Sequence, residues 1–119
     1  MNRKICTVLV FTVLVFVVVL MLSFSALADY RESQYVRDEA ERRNMTLISE
    51  SEAGEIALKR LGNDSARVKE IDLDNEADDY PNGADFRPVY QIECISGIEE
   101  YDIDVDAVTG EVLKFKRDD

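Results

Sequence analysis

Between Tyr101 and Lys116 the chain alternates apolar and charged residues with a period of two, interrupted by a single turn. Tyr101, Ile103 and Val105 alternate with Asp102, Asp104 and Asp106. After Ala107-Val108-Thr109-Gly110-Glu111, Leu113 and Phe115 alternate with Lys114 and Lys116. Successive side chains of a strand point to opposite faces, so this pattern requires half-buried antiparallel strands joined by a tight turn.

Face parity then constrains the rest of the sheet. Pro88 opens another strand, where a proline is tolerated, and Tyr90, Ile92 and Cys94 share one face of it. Ser96-Gly97 is the expected hairpin turn. An even loop there pairs Ile92 with Tyr101 and Tyr90 with Ile103, whereas an odd loop sets apolar against acidic residues. The second hairpin needs the opposite parity. Pairing Val105 with Leu113 and Ile103 with Phe115 calls for an odd loop, Val108-Thr109-Gly110, whose last residue favours glycine in the left-handed region. A further strand is expected over Arg67 to Asp74, with Ile71 and Leu73 on the apolar face and Lys69 at its rim. Gln91, Glu93, Glu100, Asp102, Asp104, Lys114 and Lys116 fall on the opposite, solvated face. Between the strands, Asn75 to Arg87 reads as a polar loop with Pro81-Asn82-Gly83 as its turn signal.

Upstream lies one well-marked helix. Ser49-Glu50-Ser51-Glu52 is a capping box, and Ile48 with Ala53 occupies the hydrophobic-staple positions. Ala53, Ile56, Ala57 and Leu61 follow the spacing of one buried helical face. Lys59 and Arg60 suit the negative end of the helix dipole, and Gly62 supplies the stop. Asp29 to Met45 is densely charged, and Tyr35, Val36 and Ala40 are too sparse for an apolar stripe. A frayed helix or solvated spacer is expected there. Asn44-Met45-Thr46 and Asn63-Asp64-Ser65 match the short glycosylation sequon, which by itself carries little information.

The first 28 residues have the form of an export leader. Arg3 and Lys4 precede an apolar run from Ile5 to Leu22, and Ala26-Leu27-Ala28 supplies small residues at the −3 and −1 positions of a cleavage site. The run is long for a cleaved leader: eighteen helical residues reach about 27 Å, close to the ~30 Å hydrocarbon core. An uncleaved signal-anchor formed by residues 5–22 is the alternative. Either way the remainder is expected outside the cytoplasm, because the positive end stays inside. The residue after Ala28 is Asp29 and not cysteine, so a lipid-anchored form is not expected.

Beyond residue 28 the chain keeps all 25 acidic residues and loses only two of its 14 basic ones, a net charge of 12 minus 25, or −13. So acidic a module repels phosphate backbones, which argues against nucleic-acid binding. Cys94 is the only cysteine outside the leader, at an inward strand position that suits a small buried hydrophobe. With no histidine anywhere, the Ser-His-Asp triad, the Cys-His pair and His-ligated zinc are all ruled out. Paired carboxylates remain, but on a solvated strand face nothing is expected to desolvate them. Asp72, Asp74, Glu76, Asp78 and Asp79 crowd the start of the polar loop. Counted from Asp74, the sixth and twelfth positions hold Asp79 and Asp85 rather than the Gly and Glu of an EF-hand.

The expected fold is α+β: one amphipathic helix packed on a small antiparallel β-sheet (α-β-β-β), preceded by an N-terminal signal or signal-anchor helix. Residues 1–28 form the leader, 29–47 a charged connector and 48–117 the domain. Two passages, Ile48-Ser49-Glu50-Ser51-Glu52-Ala53 through Ala57-Leu58-Lys59-Arg60-Leu61-Gly62 and Tyr101 through Val112, give this domain a resemblance to the PepSY family. The second contains a turn similar to that family's Asp-x-x-Thr-Gly-Glu. PepSY modules occur in propeptides of thermolysin-like metallopeptidases and in bacterial cell-envelope proteins. The resemblance therefore implies a module that restrains or assists a peptidase, or acts in the surroundings of the cell. It supplies no catalytic, cofactor-binding or metal-binding residues. The 75–87 loop is longer than the family often has, and no peptidase domain follows in the sequence, so inhibition is expected to act in trans.

The expected function is accordingly a non-enzymatic exported interaction module with a protein partner, a peptidase in first place. It would touch membrane only through an uncleaved N-terminal segment. Alternatives are an envelope sensor or cation-responsive module acting through residues 72–79, and a structural spacer. Mass spectrometry of the exported protein separates the two leader readings: an N-terminus at Asp29 rules out the anchor.

Overall fold

A computed structural model describes residues 30–118 and Val13. The leader expectations for residues 1–28 lie outside the described residues. The elements in chain order are α1 (residues 30–42), α2 (Glu50–Leu61), β1 (Arg67–Asn75), β2 (Pro88–Ser96), β3 (Glu99–Asp106) and β4 (Val112–Asp118). The α+β expectation holds, with one strand more than the α-β-β-β order: four strands form one antiparallel sheet of order β1-β2-β3-β4. No helix among the described residues is long and apolar enough to cross a membrane.

Two apolar rows cross all four strands on the inner face. Ile71, Ile92, Ile103 and Phe115 form one, and Leu73, Tyr90, Val105 and Val112 the other. The helix α2 lies over β1, β2 and β3. Its contact residues are small, Ala53, Gly54 and Ala57, which lets the helix axis come close to the sheet. A Cβ at Gly54 would stand 3.5 Å from Val68 Cγ2. The Ser49 cap forms as expected, its hydroxyl accepting the Glu52 amide at 3.1 Å, a bond worth about 1 kcal/mol. Ile56 and Leu61 are half-buried against the same core. Gly62 ends the helix at φ 72°, its amide donating to Leu58 O.

Residues 30–42 correct the spacer reading. They are helical, and Val36 and Ala40, each 1% exposed, join the main apolar cluster. Two residues a turn apart are enough of a stripe because Phe86 from the 75–87 loop enters the same cluster. Arg43 stacks on the Phe86 ring at 4.9 Å from its centroid and pairs with Asp85 at 2.9 Å. The helix ends in a Schellman motif: Asn44 sits at φ 56°, Met45 N donates to Ala40 O, and Asn44 N donates to Glu41 O. Asn44 in the sequon thus has a structural task.

Both hairpins keep their apolar faces together but by registers other than those expected. In the first, Ser96 pairs with Glu99, so the loop is Gly97-Ile98 and the partners are Cys94 with Tyr101, Ile92 with Ile103 and Tyr90 with Val105. The physical reason is the turn: Gly97, at φ 65°, takes the first loop position, as a type II′ turn requires, and slides the pairing by two residues. In the second, Asp106 N donates to Glu111 O at 2.8 Å, leaving an even loop, Ala107 to Gly110. Val105 pairs with Val112 instead of Leu113, while Ile103 still meets Phe115. Leu113 is the extra residue of a β-bulge, and that bulge restores the parity which the even loop would have broken. A second bulge lifts Lys69 out of the β1 ladder. Lys69 therefore leaves the apolar rim and bonds Glu100 at 3.2 Å, with Glu93 at 3.6 Å.

Gly110 has φ 77°, and a Cβ there would meet Ile56 Cδ1 at 3.2 Å. Gly110→Val combines left-handed strain with that contact and is expected to destabilise the domain by about 2 kcal/mol or more. Denaturant unfolding that returned an unchanged midpoint would remove the turn's role in setting the register.

Candidate functional site

The outer face of the sheet is built by the same pleat that buries the inner one. Asp72, Gln91, Asp104 and Lys114 form one row across the strands, and Glu70, Glu93, Asp102 and Lys116 the next. The first row and the acids of the second border a shallow depression of about 270 Å³. Glu70, Glu93 and Asp102 stand directly opposite one another, an arrangement of like charges that costs stability. Lys69 offsets part of it from the β1 bulge.

This face is not solvated throughout. Val89, Asp104 and Asp106 are buried, although the register places them on the outer side. Residues 76–87 cover that end of the sheet, and three polar contacts hold them down. Gln91 Nε2 donates to Glu76 Oε1 at 2.7 Å. The Tyr80 hydroxyl donates to Asp104 Oδ2 at 2.6 Å. Arg87 Nε donates to Asp106 Oδ2 at 3.1 Å while its Nη1 donates to Tyr80 O at 2.9 Å.

Asp106 joins this clasp to the turn. Its Oδ1 accepts the amides of Val108 and Thr109 at 2.8 and 2.9 Å, an Asx turn. Burial works to raise the Asp106 pKa, but the Thr109 and Val108 amides and the Arg87 guanidinium outweigh it and hold the carboxylate below its ordinary range. Glu76 goes the other way. Burial, with Asp79 and Asp74 as hydrogen-bonding, like-charged neighbours, pushes its carboxyl up to about 8. Burial also raises Tyr80, helped by its bond to Asp104. At Glu93 burial raises the pKa against the pull of Lys69, with Glu100 and Asp102 adding to the rise.

The expectation that nothing desolvates the carboxylates of the strand face therefore fails at Glu93, Asp104 and Asp106. What sequence reasoning lacked was the lid: a run of acids and a proline turn gives no sign that it folds back over the sheet. The available signals were Tyr80 and Arg87, an aromatic hydroxyl and a guanidinium flanking an otherwise acidic and small-residue loop. The fold divides the acids of residues 72–79: Asp72 belongs to the strand row, whereas Asp74 and Asp79 lie against Glu76 at the clasp. Among the described residues, no three acidic or cysteine side chains form a group able to hold a metal ion. Cys94 is fully buried, and that burial raises its thiol pKa.

A family model described as peptidase propeptide and YPEB domain, PepSY, matches residues 47–116, which takes in α2 and the sheet to within two residues of the end of β4. No curated protein and no solved structure matches the chain.

Glu76 gives the clasp a pH dependence whose sign follows from linkage. Its carboxyl ordinarily titrates near 4.5 and in the folded protein near 8, so between those values the folded state holds a proton that the unfolded state has lost. Stability contributed by this group falls as pH rises through that window. Asp106 acts oppositely: its contribution is present above the ordinary carboxylate range and is lost only in acid. Urea unfolding from pH 5 to 9 is expected to show the decline in the native protein and a flatter profile in Glu76→Gln. Parallel profiles for the two proteins would show that Glu76 does not carry the effect.

Proposed function

Because the chain belongs to the peptidase propeptide and YPEB domain (PepSY) family, we propose that it is a non-enzymatic, exported interaction module that restrains or assists a peptidase in trans. The family match over residues 47–116 carries this reading. The residues agree with it in kind. The chain contains no histidine for acyl-transfer chemistry, and the most perturbed carboxyl, Glu76, is engaged with Gln91 beneath the loop. What the domain offers outward is a sheet with one covered face, one polar face and two edges. Such a surface suits recognition of a polypeptide through strand pairing and charge.

Export rests on the leader reading of residues 1–28. Under the proposal the domain works outside the cytoplasm, released after cleavage between Ala28 and Asp29 or held by residues 5–22. Crosslinking of the exported protein in its own cells, followed by identification of what it captures, is expected to return a secreted or envelope peptidase. Extracellular proteolysis is expected to change when the protein is removed. Capture of no peptidase together with unchanged proteolysis would defeat the peptidase reading.

A further inference from the structure

The sheet has two edges, β1 and β4, and they are not equivalent. β1 is broken by the Lys69 bulge, and the Ser33 hydroxyl from α1 donates to the Leu73 carbonyl at 3.4 Å. A bulge and a covering element are two of the devices that close an edge to further pairing. Beyond Leu113, β4 has neither among the described residues: Lys114 to Asp118 pairs in unbroken register with Asp104 to Glu100, and no described strand pairs with its other side.

The same strand carries two exposed lysines on the outer face. Arg37, Arg42, Arg43, Lys69 and Arg87 are each held in an ion pair. Lys114 and Lys116 are exposed and, among the described residues, take part in no ion pair, although Asp104 and Asp102 lie opposite them. On the inner face, Arg60 of α2 holds its guanidinium 4.3 Å from the centroid of the Phe115 ring. Phe115 itself is only half-buried.

We infer that β4 is a docking edge for an extended segment of a partner protein in which acidic and apolar residues alternate. This deepens the interaction-module reading and rests on it. The required pattern is that of β3, which already occupies the other side of β4. There Asp102 and Asp104 lie opposite Lys116 and Lys114, and Ile103 lies opposite Phe115. A strand of the same chemistry on the open side sets its carboxylates beside the two lysines on the outer face. Its apolar residues then complete the burial of Phe115 on the inner face. Ladder hydrogen bonds supply affinity, and the alternate side chains supply selectivity. The β1 strand of a second copy carries Glu70 and Asp72 in this pattern, but its bulge at Lys69 interrupts pairing.

The test uses an end-blocked peptide of alternating glutamate and valine, read by backbone amide chemical shifts and hydrogen exchange of the exported domain. Binding is expected to perturb and protect the amides of residues 114–118. The double variant Lys114→Gln, Lys116→Gln should weaken binding about tenfold, the size expected for two exposed charge pairs. A peptide N-methylated at alternate backbone positions keeps the charges and loses the ladder, so it is expected not to bind. Equal binding of the N-methylated peptide, tighter binding of a lysine–valine peptide, or protection confined to the outer acidic face would overturn the proposal. So would concentration-dependent protection of β1 and β4 without peptide, which would identify a second copy as the occupant. A peptidase crosslinked elsewhere on the domain would overturn the β4 edge while leaving the module reading intact.

Discussion

Asp106 is the point through which the loop, the turn and the sheet are connected. One carboxylate oxygen closes the turn on the Val108 and Thr109 amides, and the other takes Arg87 at the end of the lid. Its backbone amide bonds Glu111 across the hairpin. The next residue, Ala107, donates to Pro88 O and accepts from Ile48 N, which fixes the entry to α2 just before its cap. Tyr90 reinforces that junction, its hydroxyl donating to Ile48 O at 2.7 Å. A charge this well buried is tolerated because both carboxylate oxygens have donors, one of them a guanidinium; removing Arg87 would leave an uncompensated carboxylate, a defect that typically costs several kcal/mol. The most recognisable string in the sequence is therefore architectural, but through its aspartate as much as through its glycine.

The faces of the strands were legible in the sequence; the registers were not. Period-two alternation says which side of the sheet Ile103 and Asp104 occupy, and a slip of two residues leaves that assignment unchanged. Only the position of Gly97 within its two-residue loop distinguishes the observed pairing of Ile92 with Ile103 from pairing with Tyr101. Bulges are harder still, because Leu113 and Lys69 look like ordinary members of their strands and differ only in having no partner opposite. Capping was read correctly because Ser49 and Gly62 act through local backbone geometry. The burial of Val36 and Ala40 was missed because it depends on Phe86, some fifty residues away, which no local periodicity can reveal.

The same distinction applies to the candidate site. That acids would line the outer face follows from the alternation of β3. That one end of this face would be roofed, and that Glu76 would hold its proton near neutrality, depends on the loop returning over β2 and β3. The roof also breaks the symmetry of the sheet. One end of the outer face is closed by Tyr80 and Arg87, one edge is interrupted by a bulge, and α1 and α2 cover the inner side. The surfaces left for a partner are the open part of the acidic face and the lysine-bearing edge, which carry opposite charge and lie side by side.

The strand order β1-β2-β3-β4 is also the chain order, so every ladder is formed between neighbours in sequence. Two of the three connections in this meander are short, the 76–87 loop being the exception, and the step of lowest entropy cost is the two-residue turn at Gly97-Ile98. Once that central hairpin exists, each outer strand has a ready template at its side. A polypeptide that emerges as an extended thread and folds as it appears gains from this order. Each strand finds its first partner already present or next to emerge, and no part of the sheet waits for a distant segment.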